Sequence, residues 1–123
     1  GEGCLRVIYV AGPFRGPDHW AISQNIRRAE ALALEVWRRG AAALCPHANT
    51  AHYQGAAPDH VWLEGDLELL RRCDAILMTP DWQRSTGATA EHAEAERLGL
   101  PGRYDVADLE EYLAVHADAP VAA

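Results

Sequence analysis

The stretch Leu5 to Gly16, LRVIYVAGPFRG, decides the fold. Its opening part, Leu5 to Val10, is a short apolar run rich in β-branched side chains, and such a run predicts a buried strand. Gly12 and Gly16 follow directly and indicate a tight turn. From Pro17 or Asp18 to Arg39 the apolar residues recur at helical spacing, which predicts a long helix. A strand that turns into a helix in this way opens a parallel α/β fold.

The rest of the chain repeats this alternation of strands and helices. Because strands separated by helices run parallel with right-handed crossovers, we expect one small parallel sheet covered by helices. Residues 47–57 are expected to form a loop. The predicted elements are strands at Ala42 to Cys45 and Ala75 to Met78, a weak strand at Arg103 to Tyr104, and helices at Asp59 to Arg72, Thr86 to Leu98 and Val106 to Val115.

The composition is that of an acidic globular protein. The 123 residues carry a formal net charge of −7, and 49% of them are hydrophobic. DNA or RNA is repelled by that charge on average, so we expect no nucleic-acid polymer as a partner. No apolar run reaches the roughly 20 residues that cross a bilayer, which predicts no membrane partner.

The cysteines and the chain ends complete this picture. The three cysteines are odd in number and widely spaced, and no charged and apolar leader opens the chain, which together predict a reduced, cytoplasmic protein. We treat residues 1–3 as a cloning remnant and expect the tail, residues 117–123, to be frayed. Residues 1–123 are then predicted to form a single domain.

Two acidic residues interrupt apolar helix faces. At about 100° per residue, Asp66 falls near the middle of the apolar arc of its helix, and Glu91 lies in a core-facing seam between Ala88 and Leu98. A carboxylate in such a place is costly unless it has a partner or a task. Two acids with different protonation states suit glycosidic chemistry, in which one attacks the anomeric carbon and the other helps with protonation. Alternatively, each acid only braces a loop.

Two segments have the features of an anion site. The turn Gly12 to Gly16 lets backbone approach a ligand, and Arg15 can bind a phosphate or carboxylate through two hydrogen bonds. Residues Ser85 to Gly87 open a helix, where free N–H groups and the helix dipole attract negative charge. An ordinary turn and an ordinary Ser N-cap are the simpler alternatives. Because the carboxyl ends of parallel strands share one edge, we expect Gly12 to Gly16, Cys45 to His52 and Thr79 to Glu91 to lie together at one rim.

Three motifs follow one another along the chain: Tyr9-Val-Ala-Gly-Pro-Phe-Arg-Gly16, then Gly65-Asp-Leu-Glu-Leu-Leu70 leading into Cys73-Asp-Ala, then Ser85-x-Gly-x-x-x-Glu91. In this order they resemble the nucleoside 2-deoxyribosyltransferase superfamily, and most closely its 2′-deoxynucleoside 5′-monophosphate N-glycosidase branch. The likeness runs from about Arg6 to Leu100. It implies a three-layer flavodoxin-like (Rossmann-like) α/β fold, a homodimer or higher homo-oligomer, and no metal or organic cofactor.

The resemblance also implies roles for single residues. Glu91 would form the glycosyl-enzyme, and Asp66 would help with sugar orientation and proton transfer. Tyr9, which matches the strand-end Tyr of the family, would be the third residue of the catalytic set. Ser85 occupies a position where transferases for free nucleosides tend to carry Asp, which favours a nucleoside monophosphate as the ligand. Pro13 stands where the monophosphate hydrolases usually carry Ser, so one phosphate contact is missing. The implied phosphate-binding set is Gly12, Arg15, Ser85 and Gly87.

Aromatic and histidine side chains at the rim offer further contacts. Phe14 and Trp82 lie on predicted loops and are candidates to stack on a base, and His47 is a candidate to touch it. His47, His52 and His60 can also be interpreted as metal ligands, but no helical His-x-x-x-His pair supports a metal site. Two other functions stay open: a non-catalytic nucleotide-sensing module of the same fold, and a structural fragment that needs a partner protein.

Overall fold

The protein has a four-stranded parallel sheet with strand order β2-β1-β3-β4, as seen in a computed structural model that describes residues 5–53 and 55–116. The predicted remnant at residues 1–3 and the predicted tail at 117–123 lie outside this range. The elements are β1 Val7–Ala11, α1 His19–Arg38, β2 Ala42–Leu44, α2 Pro46–Asn49, α3 Asp59–Leu70, β3 Ala75–Met78, a 3₁₀ helix Trp82–Arg84, α4 Thr86–Leu98, β4 Gly102–Arg103 and α5 Val106–Val115.

The sheet is covered on both faces, which makes three layers. Successive side chains of a strand point to opposite faces, and β1 shows this clearly. Ile8 and Val10 pack with buried residues of α1 and α5, whereas Tyr9 and Ala11 pack with buried residues of α3 and α4. The predicted three-layer, flavodoxin-like α/β fold is therefore confirmed.

The topology fixes where a ligand can bind. The chain runs from β1 outward to β2 and then returns to β3 on the other side of β1, with all pairs parallel. The strand order thus reverses between β1 and β3. In open parallel sheets this switch point leaves a crevice beyond the carboxyl ends of the strands. The segments that follow Ala11 and Met78 stand at this crevice.

Two helix starts at this edge have the caps that their sequences predict. The side chain of Asp18 accepts a hydrogen bond from the Ala21 amide at 2.8 Å and fixes the beginning of α1. The Ser85 hydroxyl oxygen accepts one from the Ala88 amide at 3.1 Å and fixes the beginning of α4. In each helix the first N–H groups, apart from the one that the cap binds, have no partner within the helix.

Some expected boundaries differ from the observed ones. Pro46–Asn49 forms the short helix α2 inside the segment expected to be a loop. The last strand is Gly102–Arg103, one residue earlier than predicted. The spacing of α3 also places Leu63 on the apolar arc that contains Asp66, but Leu63 is 38% exposed. In the part of the chain that the structure describes, none of the helices combines the length and apolar character needed to cross a membrane.

Candidate functional site

A large open cavity lies at the switch point of the sheet. Its volume is about 1060 Å³, and it is bounded by the loop after β1, the amino-terminal half of α1, α2, α3 and the start of α4. Ligand pockets usually measure about 300–1,000 Å³, so this cavity is large enough for a molecule the size of a nucleotide. Of the sequence-predicted site residues, the ones that line the cavity are Gly12, Phe14, Arg15, His47, Asp66, Ser85, Gly87 and Glu91.

Glu91 lies at the floor of the cavity and is almost completely buried. Its side chain is only 6% exposed, and one of its carboxylate oxygens accepts a hydrogen bond from the hydroxyl of Tyr9. Burial raises the pKa of Glu91 to about 8, the negative charge of Asp66 adds to the rise, and the bond from Tyr9 opposes it. An acid with this pKa exchanges its proton close to neutral pH, as catalytic carboxyl groups do.

Tyr9 forms the back wall behind Glu91. It lies in the middle of β1, is fully buried, and packs against the core between the sheet and α4. Burial, together with the nearby carboxylates of Glu91 and Asp66, holds its pKa well above the ordinary value. Tyr9 therefore stays protonated and acts as a fixed hydrogen-bond donor to Glu91 rather than as a surface that meets the ligand.

Asp66 faces the same cavity from α3. Burial raises its pKa to about 6, and its charge raises the pKa of Glu91. Among the described residues, no side chain forms a hydrogen bond to the carboxylate of Asp66. The alternative that Asp66 only braces a neighbouring loop therefore has no such contact to support it. Burial thus raises both pKa values, and of the two acids Glu91 is the one that keeps its proton to the higher pH.

Packing against a neighbouring loop explains why the loop after β1 begins with a glycine. A Cβ atom on Gly12 would overlap the side chain of Thr79, which follows β3. The two strand ends therefore touch at Gly12, and the close approach is to protein rather than to a ligand. This contact brings the loop and the segment after β3 together at the floor of the cavity.

Arg15 has a partner at the mouth of the cavity. Its guanidinium forms an ion pair with Asp59 at the start of α3, and both side chains are largely exposed. Exposed pairs contribute little to stability and exchange readily. A phosphate at this edge would compete with Asp59 for Arg15, and the loss of a weak pair costs little.

The start of α4 offers unsatisfied hydrogen-bond donors. Ser85 uses an oxygen lone pair to cap Ala88, which leaves the hydroxyl proton free to donate. Gly87 and Thr86 also line the cavity, and amides at the first positions of a helix lack partners within the helix. A Cβ atom on Gly87 would meet only the Ser85 hydroxyl oxygen, at 3.9 Å, so protein packing does not require this glycine.

His47 supports the loop instead of projecting freely into the cavity. It is buried, and its Nε2 lies 2.8 Å from the carbonyl oxygen of Pro13. Burial lowers the pKa of His47, so the ring is neutral, and the carbonyl requires the proton on Nε2. Phe14 packs edge-on against His47 with ring centroids 5.5 Å apart, which leaves Phe14 as a cavity wall.

The prediction that Trp82 stacks on a base is not met by its position. Trp82 is stacked on His92 with ring centroids 4.2 Å apart, packs against the core, and is not among the described residues that line the cavity. The tryptophans that line the cavity are Trp20 of α1 and Trp62 of α3. Trp20 is 73% exposed.

Three further polar side chains line the cavity that the sequence did not single out. Asn25 and Arg28 come from α1 and Arg84 from the 3₁₀ helix. Asn25 sits beside the apolar stripe of α1, which is a weaker signal than that of Asp66 and Glu91, because those two acids fall within apolar faces. The described residues contain no group of three or more His, Cys, Asp or Glu side chains arranged to hold a metal ion.

Fold and site together define a small flavodoxin-like α/β protein with a carboxylate pair in a cavity at the switch point of its sheet. The chain belongs to the family described as a domain of unknown function, DUF4406, whose model matches residues 6–104. A search of curated proteins found no match to the chain.

Proposed function

We propose that the protein cleaves the N-glycosidic bond of a nucleoside 5′-monophosphate or deoxynucleoside, through a covalent glycosyl-Glu91 intermediate. The observation that carries this proposal is the position of Glu91, a buried carboxyl group that lines a nucleotide-sized cavity, is bonded to Tyr9 and lies near Asp66. The motif resemblance to nucleoside 2-deoxyribosyltransferases supports it independently.

The reaction requires two displacements at one carbon. In the first, a carboxylate oxygen of Glu91 forms a bond to C1′ while the bond from C1′ to the base nitrogen breaks and its electron pair leaves with the base. In the second, water attacks C1′ and the bond to Glu91 breaks. The proton that the water loses balances the one that the departing base takes up on its nitrogen. If a second base attacks instead of water, the outcome is base exchange.

The reactive form of the site has Glu91 ionised. The hydroxyl of Tyr9 donates to that carboxylate and opposes the effect of burial. At a pH at which Glu91 has lost its proton, Asp66 with its lower pKa has lost its own. The ionised carboxylate of Asp66 can therefore accept a hydrogen bond from a sugar hydroxyl. Asp66 can donate a proton to the leaving base only in the minor population of molecules in which Glu91 is ionised and Asp66 carries the proton.

Several other groups that line the cavity suit a phosphate. Arg15, Ser85 and Gly87 line it, as do Arg28 and Arg84. These cationic and N–H donors offset the overall negative charge locally. The aromatic walls Phe14, Trp20 and Trp62 suit the base.

A ligand and turnover screen tests the proposal. The wild type and Glu91→Gln are compared for thermal stabilisation and free-base release over deoxy- and ribonucleoside monophosphates, including modified pyrimidines. We expect base release from the wild type with at least one monophosphate and none from the variant, which should still be stabilised by the ligand. Equal base release by both proteins would refute the role of Glu91 as nucleophile.

A non-catalytic nucleotide sensor is the second candidate, because the donors of the anion site do not depend on Glu91. In that case the wild type is stabilised by monophosphates but releases no base. A structural fragment that needs a partner protein would show neither stabilisation nor turnover.

We also propose a cytoplasmic homo-oligomer. Large apolar side chains are exposed on α1 and α3, among them Trp37 and Val61, and burying them against a second copy would be favourable. The two described cysteines, Cys45 and Cys73, are free thiols, as expected in a reducing compartment. Light scattering during size-exclusion chromatography tests the oligomeric state, and a monomer at all concentrations would contradict it.

A further inference from the structure

Two buried side chains, those of His47 and Asn25, form hydrogen bonds with three successive carbonyl groups of the loop after β1. The Nε2 atom of His47 lies 2.8 Å from the carbonyl oxygen of Pro13. The side-chain amide of Asn25 donates to the carbonyl oxygens of Phe14 and Arg15, each at 3.1 Å. The direction of three neighbouring peptide groups is thereby fixed by residues of two different helices.

Asn25 is itself fixed in place. It is 9% exposed, and its side-chain oxygen accepts a hydrogen bond from Nη2 of Arg28 at 2.5 Å. Because the two carbonyls and the guanidinium require the amide nitrogen and oxygen on opposite sides, only one orientation of the amide satisfies all three partners. The residue sits on the long helix α1, so its support is rigid.

The fixed carbonyls determine where the neighbouring N–H groups point. In a trans peptide the N–H points away from the C=O, and the described chain has no cis peptide bond. The amides of Phe14, Arg15 and Gly16 therefore point away from Asn25 and His47. In the described part of the chain none of the three has an acceptor, and all three residues line the cavity. Successive free amides of this kind suit an anion.

We propose that Asn25 is the positioning residue of the anion site, which holds the Phe14–Gly16 backbone so that its amides meet the 5′-phosphate of the substrate. The choice of phosphate as the anion rests on the proposed function. Asn25 acts through the loop and does not take part in the bond changes at C1′. It should therefore affect ligands that carry a phosphate and spare those that lack it.

The test compares Asn25→Leu, which is nearly equal in size, with the same change at Asn49, an exposed residue of α2 outside the cavity lining. We expect Asn25→Leu to raise the Kd for inorganic phosphate and the KM for a nucleoside monophosphate at least about tenfold. Its kcat, and the KM for the matching nucleoside, should stay within about twofold. Asn49→Leu should resemble the wild type in all of these measurements.

The outcomes separate this proposal from the proposed function. If the wild type binds phosphate and Asn25→Leu does not, Asn25 has the proposed role even if no base is released. Equal weakening of nucleotide and nucleoside would make Asn25 a purely structural residue and overturn the proposal. Failure of the wild type to bind phosphate or any monophosphate would overturn it too.

A measurement on the wild type covers the case in which Asn25→Leu does not fold. In an amide NMR spectrum, inorganic phosphate should shift the resonances of Phe14, Arg15 and Gly16 more than those of the exposed residues of α5. If these three resonances do not move at saturating phosphate, the site is not where we place it.

Discussion

Replacing Glu91 with glutamine should change how the stability of the protein depends on pH. Burial raises the pKa of Glu91 from the ordinary 4.5 to about 8 in the folded protein. Between these values the folded state keeps a proton that the unfolded state has released, so the free energy of unfolding falls as pH rises. The stabilisation is complete below about pH 4.5 and is lost as pH rises through about 8.

The size of the effect follows from the same two values. Each pH unit between 4.5 and about 8 is worth about 1.36 kcal/mol, so full ionisation costs at most about 5 kcal/mol. From pH 5 to pH 8, where half of Glu91 has ionised, the loss is about 3–4 kcal/mol. Glutamine keeps the shape and can still accept the bond from Tyr9, but it carries no charge. The variant should match the wild type near pH 4 and exceed its stability at pH 8.

Urea unfolding, followed by tryptophan fluorescence from pH 4 to pH 8, measures this difference directly. The control is Glu111→Gln on α5, an exposed carboxylate outside the cavity lining, which should leave the pH dependence of the wild type unchanged. If the wild type and Glu91→Gln lose stability in parallel between pH 5 and pH 8, Glu91 is not the buried, proton-holding acid described here.

Three further changes test the other parts of the site. Tyr9→Phe removes the bond that favours the Glu91 carboxylate, so the rise of kcat/KM with pH should move to higher pH; an unshifted pH–rate profile would contradict this. Arg15→Ala should weaken binding of nucleotides at least about tenfold more than of nucleosides, and calorimetry that shows equal weakening would argue against a phosphate contact. Gly12→Ala should lower the free energy of unfolding by about 1–3 kcal/mol because its Cβ overlaps Thr79, and an unchanged urea midpoint would refute that packing.

The fold could be predicted from the sequence because apolar residues recur at different spacings in its strands and in its helices. The apolar run that became β1 was identified by its β-branched residues, and the alternation of elements implied parallel pairing. The carboxylates Asp66 and Glu91 were found for a related reason, since a charge on an apolar helix face is conspicuous in a period of 3.6 residues. The rule that strand ends share an edge placed the segment ending at Glu91 at the rim, but it did not place Asp66, which lies inside a helix.

Other features depend on short elements or on tertiary contacts, which the spacing of apolar residues does not reveal. Helix α2 has only four residues, too few for a helical pattern to be recognised. The loop position of Trp82 predicted stacking on a base at the rim, but Trp82 stacks on His92 and packs, partly buried, against the core. Asn25 lies beside the apolar stripe of α1, and its partners are the carbonyls of a loop about ten residues earlier in the chain.

The central claim is that Glu91 becomes glycosylated. The most direct measurement is intact-mass and peptide mass spectrometry of the protein, quenched in acid during turnover of the best substrate in the monophosphate panel. We predict an added mass equal to the sugar phosphate, carried by the peptide that contains Glu91 and absent from Glu91→Gln. Continued base release by Glu91→Gln, with no adduct on the wild type, would contradict the account.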